Sequence, residues 1–146
     1  MAAASGRNGP EATATPDLLV PSLGMTPDEA VTALIRANEA RDVEAVLALC
    51  TTDIEYENVP MSVMRGHDEI RSMLGPFLGS AERVEWEVLA QVEHGDVVMN
   101  ERVDRFWLPG DVTVELRVAG IFRVRDGLVA VWRDYFDLAS FTEQMS

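Results

Sequence analysis

The sequence predicts an α+β domain: a curved, mostly antiparallel mixed sheet with three to four helices packed on one face, enclosing a deep apolar pocket. Three observations lead there. Helix signals crowd the first half of the chain and strand signals fill the second, so the helices precede a meander instead of alternating with strands. The strand-like runs alternate apolar and polar residues and are separated by turn sequences. Three of those runs carry polar groups on faces that otherwise read as dry, where a pocket between sheet and helices would lie.

At 146 residues the chain fits one domain with a real core, and 47% hydrophobic content fits a globular protein. A net charge of −13 argues against nucleic acid and anionic membrane surfaces and reads as a solubility device. The single cysteine, Cys50, excludes an intrachain disulfide and a multi-cysteine metal site. No metal-ligand spacing and no glycine-rich phosphate loop occurs, so neither metal nor cofactor is expected. No apolar run approaches the ~20 residues of a membrane helix, and the N-terminus makes a poor signal peptide; a cytoplasmic location is the expectation.

Residues 1–25 read as an N-terminal extension, disordered or loosely docked through Leu18-Leu19-Val20 and Leu23, ahead of a single domain at 26–146. Thr26-Pro27-Asp28-Glu29 is a capping box with proline at the first helical position. It opens a helix to about Arg41, with Ala30, Val31, Leu34, Ile35 and Ala37 as its apolar stripe. Asp42 caps a second short helix ending near Cys50. A strand follows at 53–59. Ile70, Met73, Leu74, Phe77 and Leu78 give a third helix at 67–79 its buried face, and Pro76 is expected to kink or break it. Val84, Trp86, Val88, Ala90 and Val92 alternate as the dry side of the next strand. After the turn His94-Gly95-Asp96 comes a strand at 97–108; after Pro109-Gly110-Asp111, another at 112–124. Arg125-Asp126-Gly127 makes a tight hairpin into 128–137, and a short helix or coil closes the chain at 138–145. His67 and His94 read as exposed.

Side chains two apart on a strand share a face. Tyr56 and Asn58 therefore share the dry face with Ile54. Arg102 and Asp104 share one with Val98, Phe106 and Leu108. Asp134 shares one with Leu128, Ala130, Trp132 and Phe136. An unpaired buried charge costs several kcal/mol, a cost usually tolerated at a site. Two carboxylates in a dry pocket tend to split their protonation states, so one can serve as acid and the other as base. An arginine between them could hold both, while Tyr56 and Asn58 could fix a water. These parts suit addition of water across a strained or activated bond. They also fit an isomerase, cyclase or dehydratase on the same fold, or a plain buried ion pair in a non-enzymatic ligand-binding dimer. Ile35, Met73, Leu74, Phe77, Trp86, Phe106, Leu116, Phe136 and Phe141 are the candidate pocket wall and suggest an apolar substrate.

Tyr56-x-Asn58, Arg102-x-Asp104 and Trp132-Arg133-Asp134-Tyr135-Phe136-Asp137, in this order, resemble the limonene-1,2-epoxide hydrolase family. The spacings resemble it too: 44 residues from Asn58 to Arg102 and 30 from Asp104 to Asp134. The resemblance spans roughly residues 26–141. It implies the cone-shaped fold shared with nuclear transport factor 2, ketosteroid isomerase and polyketide cyclases. It further implies Asp134 as general base, Tyr56 and Asn58 as water clamp, Asp104 as general acid and Arg102 as the bridge between the aspartates. The implied reaction opens a small apolar or cyclic epoxide to a vicinal diol in one step, without covalent intermediate or cofactor, in a homodimer formed through the sheet.

Overall fold

The structure, a computed structural model, describes residues 24–146; the expectations placed on the N-terminal extension before Gly24 lie outside them. Four helices and six strands follow in the order α1 (Pro27–Glu39), α2 (Val43–Ala48), β1 (Cys50–Val59), β2 (Met64–Arg65), α3 (Gly66–Ser80), β3 (Arg83–His94), β4 (Val97–Leu108), β5 (Val112–Arg125), β6 (Leu128–Tyr135) and α4 (Leu138–Met145). The strands form one mixed sheet in the order β2-β1-β6-β5-β4-β3, open at both edges. β1 and β6 run parallel and every other pairing is antiparallel.

Local chemistry places the elements. Thr26 Oγ1 accepts from the Glu29 amide at 3.1 Å and the Glu29 carboxylate accepts from the Thr26 amide at 2.9 Å, completing the capping box. α1 stops at Glu39, two residues before the expected end, because Arg41 turns to φ 60. Asp42 caps α2 through the Ala45 amide. α3 runs unbroken through Pro76: Pro76 and Ser72 are both exposed, so water can serve the carbonyl that loses its helical partner. In the β5–β6 hairpin Asp126 and Gly127 both take positive φ, 53 and 81, the pairing a two-residue turn requires. Asp137 caps α4 through the Ala139 and Ser140 amides.

The core lies between the helices and the inner face of the sheet, around Leu34, Ile54, Ile70, Phe122 and Trp132. Two register shifts break the alternation read from the sequence. One, between Val88 and Ala90 on β3, turns Ala90 and Val92 outward and Gln91 and Glu93 toward α1. Ala90 and Val92 are therefore exposed instead of dry; Val88, ahead of the shift, is exposed too, bordering a polar depression beside α1. The other, opposite Arg123/Val124, puts Val129 into the core in place of Leu128 and Ala130. His67 is half-buried, not exposed: its Nε2 lies 3.2 and 3.1 Å from the Cys50 and Thr51 carbonyls and donates there. No helix among the described residues is long and apolar enough to cross a membrane.

Candidate active site

One cross-strand row on the inner face organises the site. In register, Asn58 on β1 sits beside Asp134 on β6, Asp134 beside Gly120 on β5, Gly120 beside Asn100 on β4, and Asn100 beside Gln91 on β3. Arg102 lies one inward position along β4 and must reach across β5 to touch β6. Gly120 provides the passage. A Cβ there would meet Arg102 Nη1 at 2.5 Å, Asn100 Oδ1 at 2.7 Å and the Phe122 ring at 2.9 Å. Only a residue without a side chain lets the guanidinium lie against the strand.

The guanidinium is fully buried and fully engaged. Its Nε and Nη2 donate to Asp104 Oδ1 and Oδ2 at 2.9 and 2.8 Å, a bidentate fork. Nη2 also lies 3.1 Å from Asp134 Oδ1, and Nη1 donates to Asn100 Oδ1 at 3.0 Å. The Trp86 ring supports it from one side, its centroid 4.4 Å from Cζ. Asp134 Oδ2 accepts from Trp132 Nε1 at 3.1 Å, while Oδ1 has an ionic contact with Arg102 but no aligned hydrogen bond. An aromatic stack fixes that indole: Tyr56 lies flat on Trp132 at 3.8 Å, and Phe122 lies near-parallel to it with ring centroids 6.4 Å apart. The Tyr56 hydroxyl points toward Asn58 Oδ1 at 3.4 Å.

Charge follows from this geometry. One guanidinium between two ionised carboxylates leaves a buried net negative charge, and one proton on the pair removes it. Burial pushes Asp104 up to about 6 against the pull of Arg102, with Asp134 and Glu39 adding to the rise. Burial also raises Asp134 above the usual carboxylate range, again opposed by Arg102. Arg102 is held firmly charged: Asp134 and Asp104 outweigh the cost of its burial. Burial raises the Tyr56 phenol, keeping it protonated, and pushes the Cys50 thiol up to about 12, so that Cys50 is no nucleophile. Among the described residues no cluster of His, Cys, Asp and Glu could hold a metal ion.

Tyr56, Asn58, Asp104 and Asp134 open onto one cavity of about 170 Å³, with Arg102 behind them. Met73, Leu74, Phe77, Trp86, Phe106, Leu116, Phe136 and Phe141 line it. Ile35 does not. It is buried on the adjoining face of α1 and borders a separate polar depression with Asp28, Thr32, Glu39 and Gln91, while Asn38, one turn on, faces the cavity instead. Asn38, Met61, Leu78 and Val118 also line the cavity and went unforeseen, as did Gly120 and Asn100 behind it. A lone glycine inside the 112–124 strand pattern was the available signal for Gly120.

A cone of helices on a curved mixed sheet, with a buried carboxylate pair bridged by arginine at its floor, defines a class of small pocket enzymes on the nuclear transport factor 2-like fold. The chain belongs to the limonene-1,2-epoxide hydrolase family: the profile of that family's catalytic domain matches residues 25–146. It is 36% identical over 111 residues to the epoxide hydrolase EphG of Mycobacterium tuberculosis, covering 75% of this chain and 72% of that protein. The structure of an M. tuberculosis LEH-like epoxide hydrolase superposes with a TM-score of 0.72 at 31% identity, over 81% of this chain and 87% of the other. An NTF2-like protein of unknown function from Burkholderia pseudomallei, at 17% identity and TM-score 0.73, covers 82% of this chain and 97% of its own; this likeness concerns the fold alone.

Proposed function

We propose that the protein hydrolyses small apolar or cyclic epoxides to vicinal diols by one-step acid–base catalysis. The observation that carries this reading is the convergence of Asp104, Arg102 and Asp134 at the floor of an apolar cavity beside Tyr56 and Asn58. A water held by Tyr56 and Asn58 gives a proton to Asp134 as its oxygen attacks a ring carbon. The carbon–oxygen bond of the ring breaks, and Asp104 delivers its proton to the departing oxygen. Asp134 then holds one proton and Asp104 lacks one, and a single proton transfer restores the pair. Arg102 keeps the two carboxylates apart in charge and together in space. The cavity, about 170 Å³, is small beside the ~300–1,000 Å³ of drug-sized ligand sites, which supports a compact substrate.

Turnover of cyclohexene oxide or limonene oxide in ¹⁸O-water tests the reading. One labelled oxygen in the diol is the expected result, and an unlabelled isomer would replace hydrolysis by rearrangement. Single-turnover reactions should also leave no label in the enzyme's carboxylates. We further propose that two copies pair through the outer face of the sheet, where Val92, Met99 and Tyr135 are exposed. Sedimentation of wild type against Val92→Glu/Met99→Glu should show a dimer becoming a monomer.

A further inference from the structure

The catalytic guanidinium is tied to the outside of the molecule by a hydrogen-bond chain that the acid–base mechanism does not use. Arg102 Nη1 donates to Asn100 Oδ1 at 3.0 Å, and Asn100 Nδ2 donates to Gln91 Oε1 at 3.0 Å. Gln91 Nε2 donates to Asp28 Oδ1 at 2.8 Å and to Thr32 Oγ1 at 3.1 Å. The direction of every link is forced. Arginine can only donate, so Asn100 must present its oxygen inward and its nitrogen outward. An ionised aspartate can only accept, so Gln91 must do likewise. The dipoles run head to tail from a cation to an anion, an arrangement in which each link polarises the next.

The fold supports this chain at both ends. Gln91 reaches inward only because the β3 bulge reverses the alternation after Val88. Asp28 stands in the first turn of α1, where its own amide is taken by Glu93 at 2.8 Å. Other ionisable groups facing the guanidinium and Asp104 are Asp134 from β6, Tyr56 from β1 and Glu39 from the end of α1; Arg36 borders the depression at the outer end.

We infer that Asn100, Gln91 and Asp28 form a positioning brace that holds Arg102 over Gly120 and draws part of its charge away from the two aspartates. Without the brace, Arg102 settles more fully on the carboxylates, favours their ionised forms and leaves less Asp104 protonated at a given pH. The effect on turnover rests on the hydrolase reading; the effect on Asp104 titration does not.

The test uses the full chain carrying Gln91→Leu, which removes the middle link at a partly buried position, and Asp28→Asn, which keeps an acceptor oxygen and removes the charge. Gln91→Leu is expected to lower kcat about tenfold with KM nearly unchanged. It should also move the Asp104 carboxyl titration, followed by ¹³C NMR, and the descending limb of the rate profile to lower pH. Asp28→Asn should shift both the same way by less. Wild-type titration in both variants would overturn the brace, as would a loss of kcat that follows only a lower melting temperature. Should Gln91→Leu not fold, Asp28→Asn decides alone by whether the titration moves. Absence of epoxide turnover in the wild-type enzyme would sink the hydrolase reading, and the NMR titration would still decide the brace.

Discussion

Two arginines three residues apart on β4 point to opposite faces of the sheet and receive opposite treatment. Outside, Arg105 donates to Glu115, Glu85 and Glu87 at 2.8, 2.7 and 3.0 Å, and all four side chains meet water. Inside, Arg102 faces Asp104 and Asp134 with no water contact of its own. The pairings are equally short. The difference is the medium: solvent screens the outer cluster, so its charges cost little to hold side by side. The inner cluster cannot spread its charge, and burial raises both of its carboxylates against the pull of Arg102. The same pairing of arginine with carboxylates becomes a surface staple on one face and, in the proposed mechanism, an acid–base device on the other.

Substitutions sharpen this contrast. The largest effect belongs to the inner carboxylates. Asp134→Asn or Asp104→Asn should each lower kcat/KM for an epoxide by on the order of a thousandfold, measured by diol formation; near-normal turnover would break the assignment of base and acid. Gly120→Ala should follow at about a hundredfold, because the added methyl displaces Arg102 and Asn100. Its far-ultraviolet circular dichroism should stay native while activity drops.

Acidity gives the third effect. Asp104, the proposed proton donor, is raised to about 6, so kcat/KM should fall as pH climbs through that value. Stability follows the same sign. The folded chain binds this proton more tightly than the unfolded chain, so the group's favourable share is complete below about pH 4 and disappears as pH rises through about 6. Asp104→Asn should therefore melt higher than wild type at pH 7, while the difference narrows toward pH 4. The smallest effect is outside: Arg105→Gln should leave kcat/KM within about twofold and barely shift the melting temperature.

Much of this contrast was legible from residue order. The capping box at Thr26, the shared face of Arg102 and Asp104, and the other polar residues on dry faces all follow from local rules. The bulges did not, because alternation counts residues and a bulge adds one for the sake of a distant partner. At Val88–Ala90 that partner is α1, which needs Gln91 and Glu93 turned toward it. Ile35 was misplaced for a related reason: an apolar helical stripe marks what is buried, and the rotation of the helix decides which neighbour it meets. Gly120 looks like a weak strand residue until the register sets it between Asn100 and Asp134. The parallel pairing of β1 with β6 also left no local trace.

That parallel seam has a consequence for biogenesis. Asn58 and Asp134 are neighbours only because the first long strand and the last one lie side by side. A nascent chain emerging from the ribosome carries Tyr56 and Asn58 early but gains Asp134, the proposed base, only after almost all of the polypeptide has been made. The proposed site is therefore completed in one late event, and truncated translation products lacking β6 should be inert.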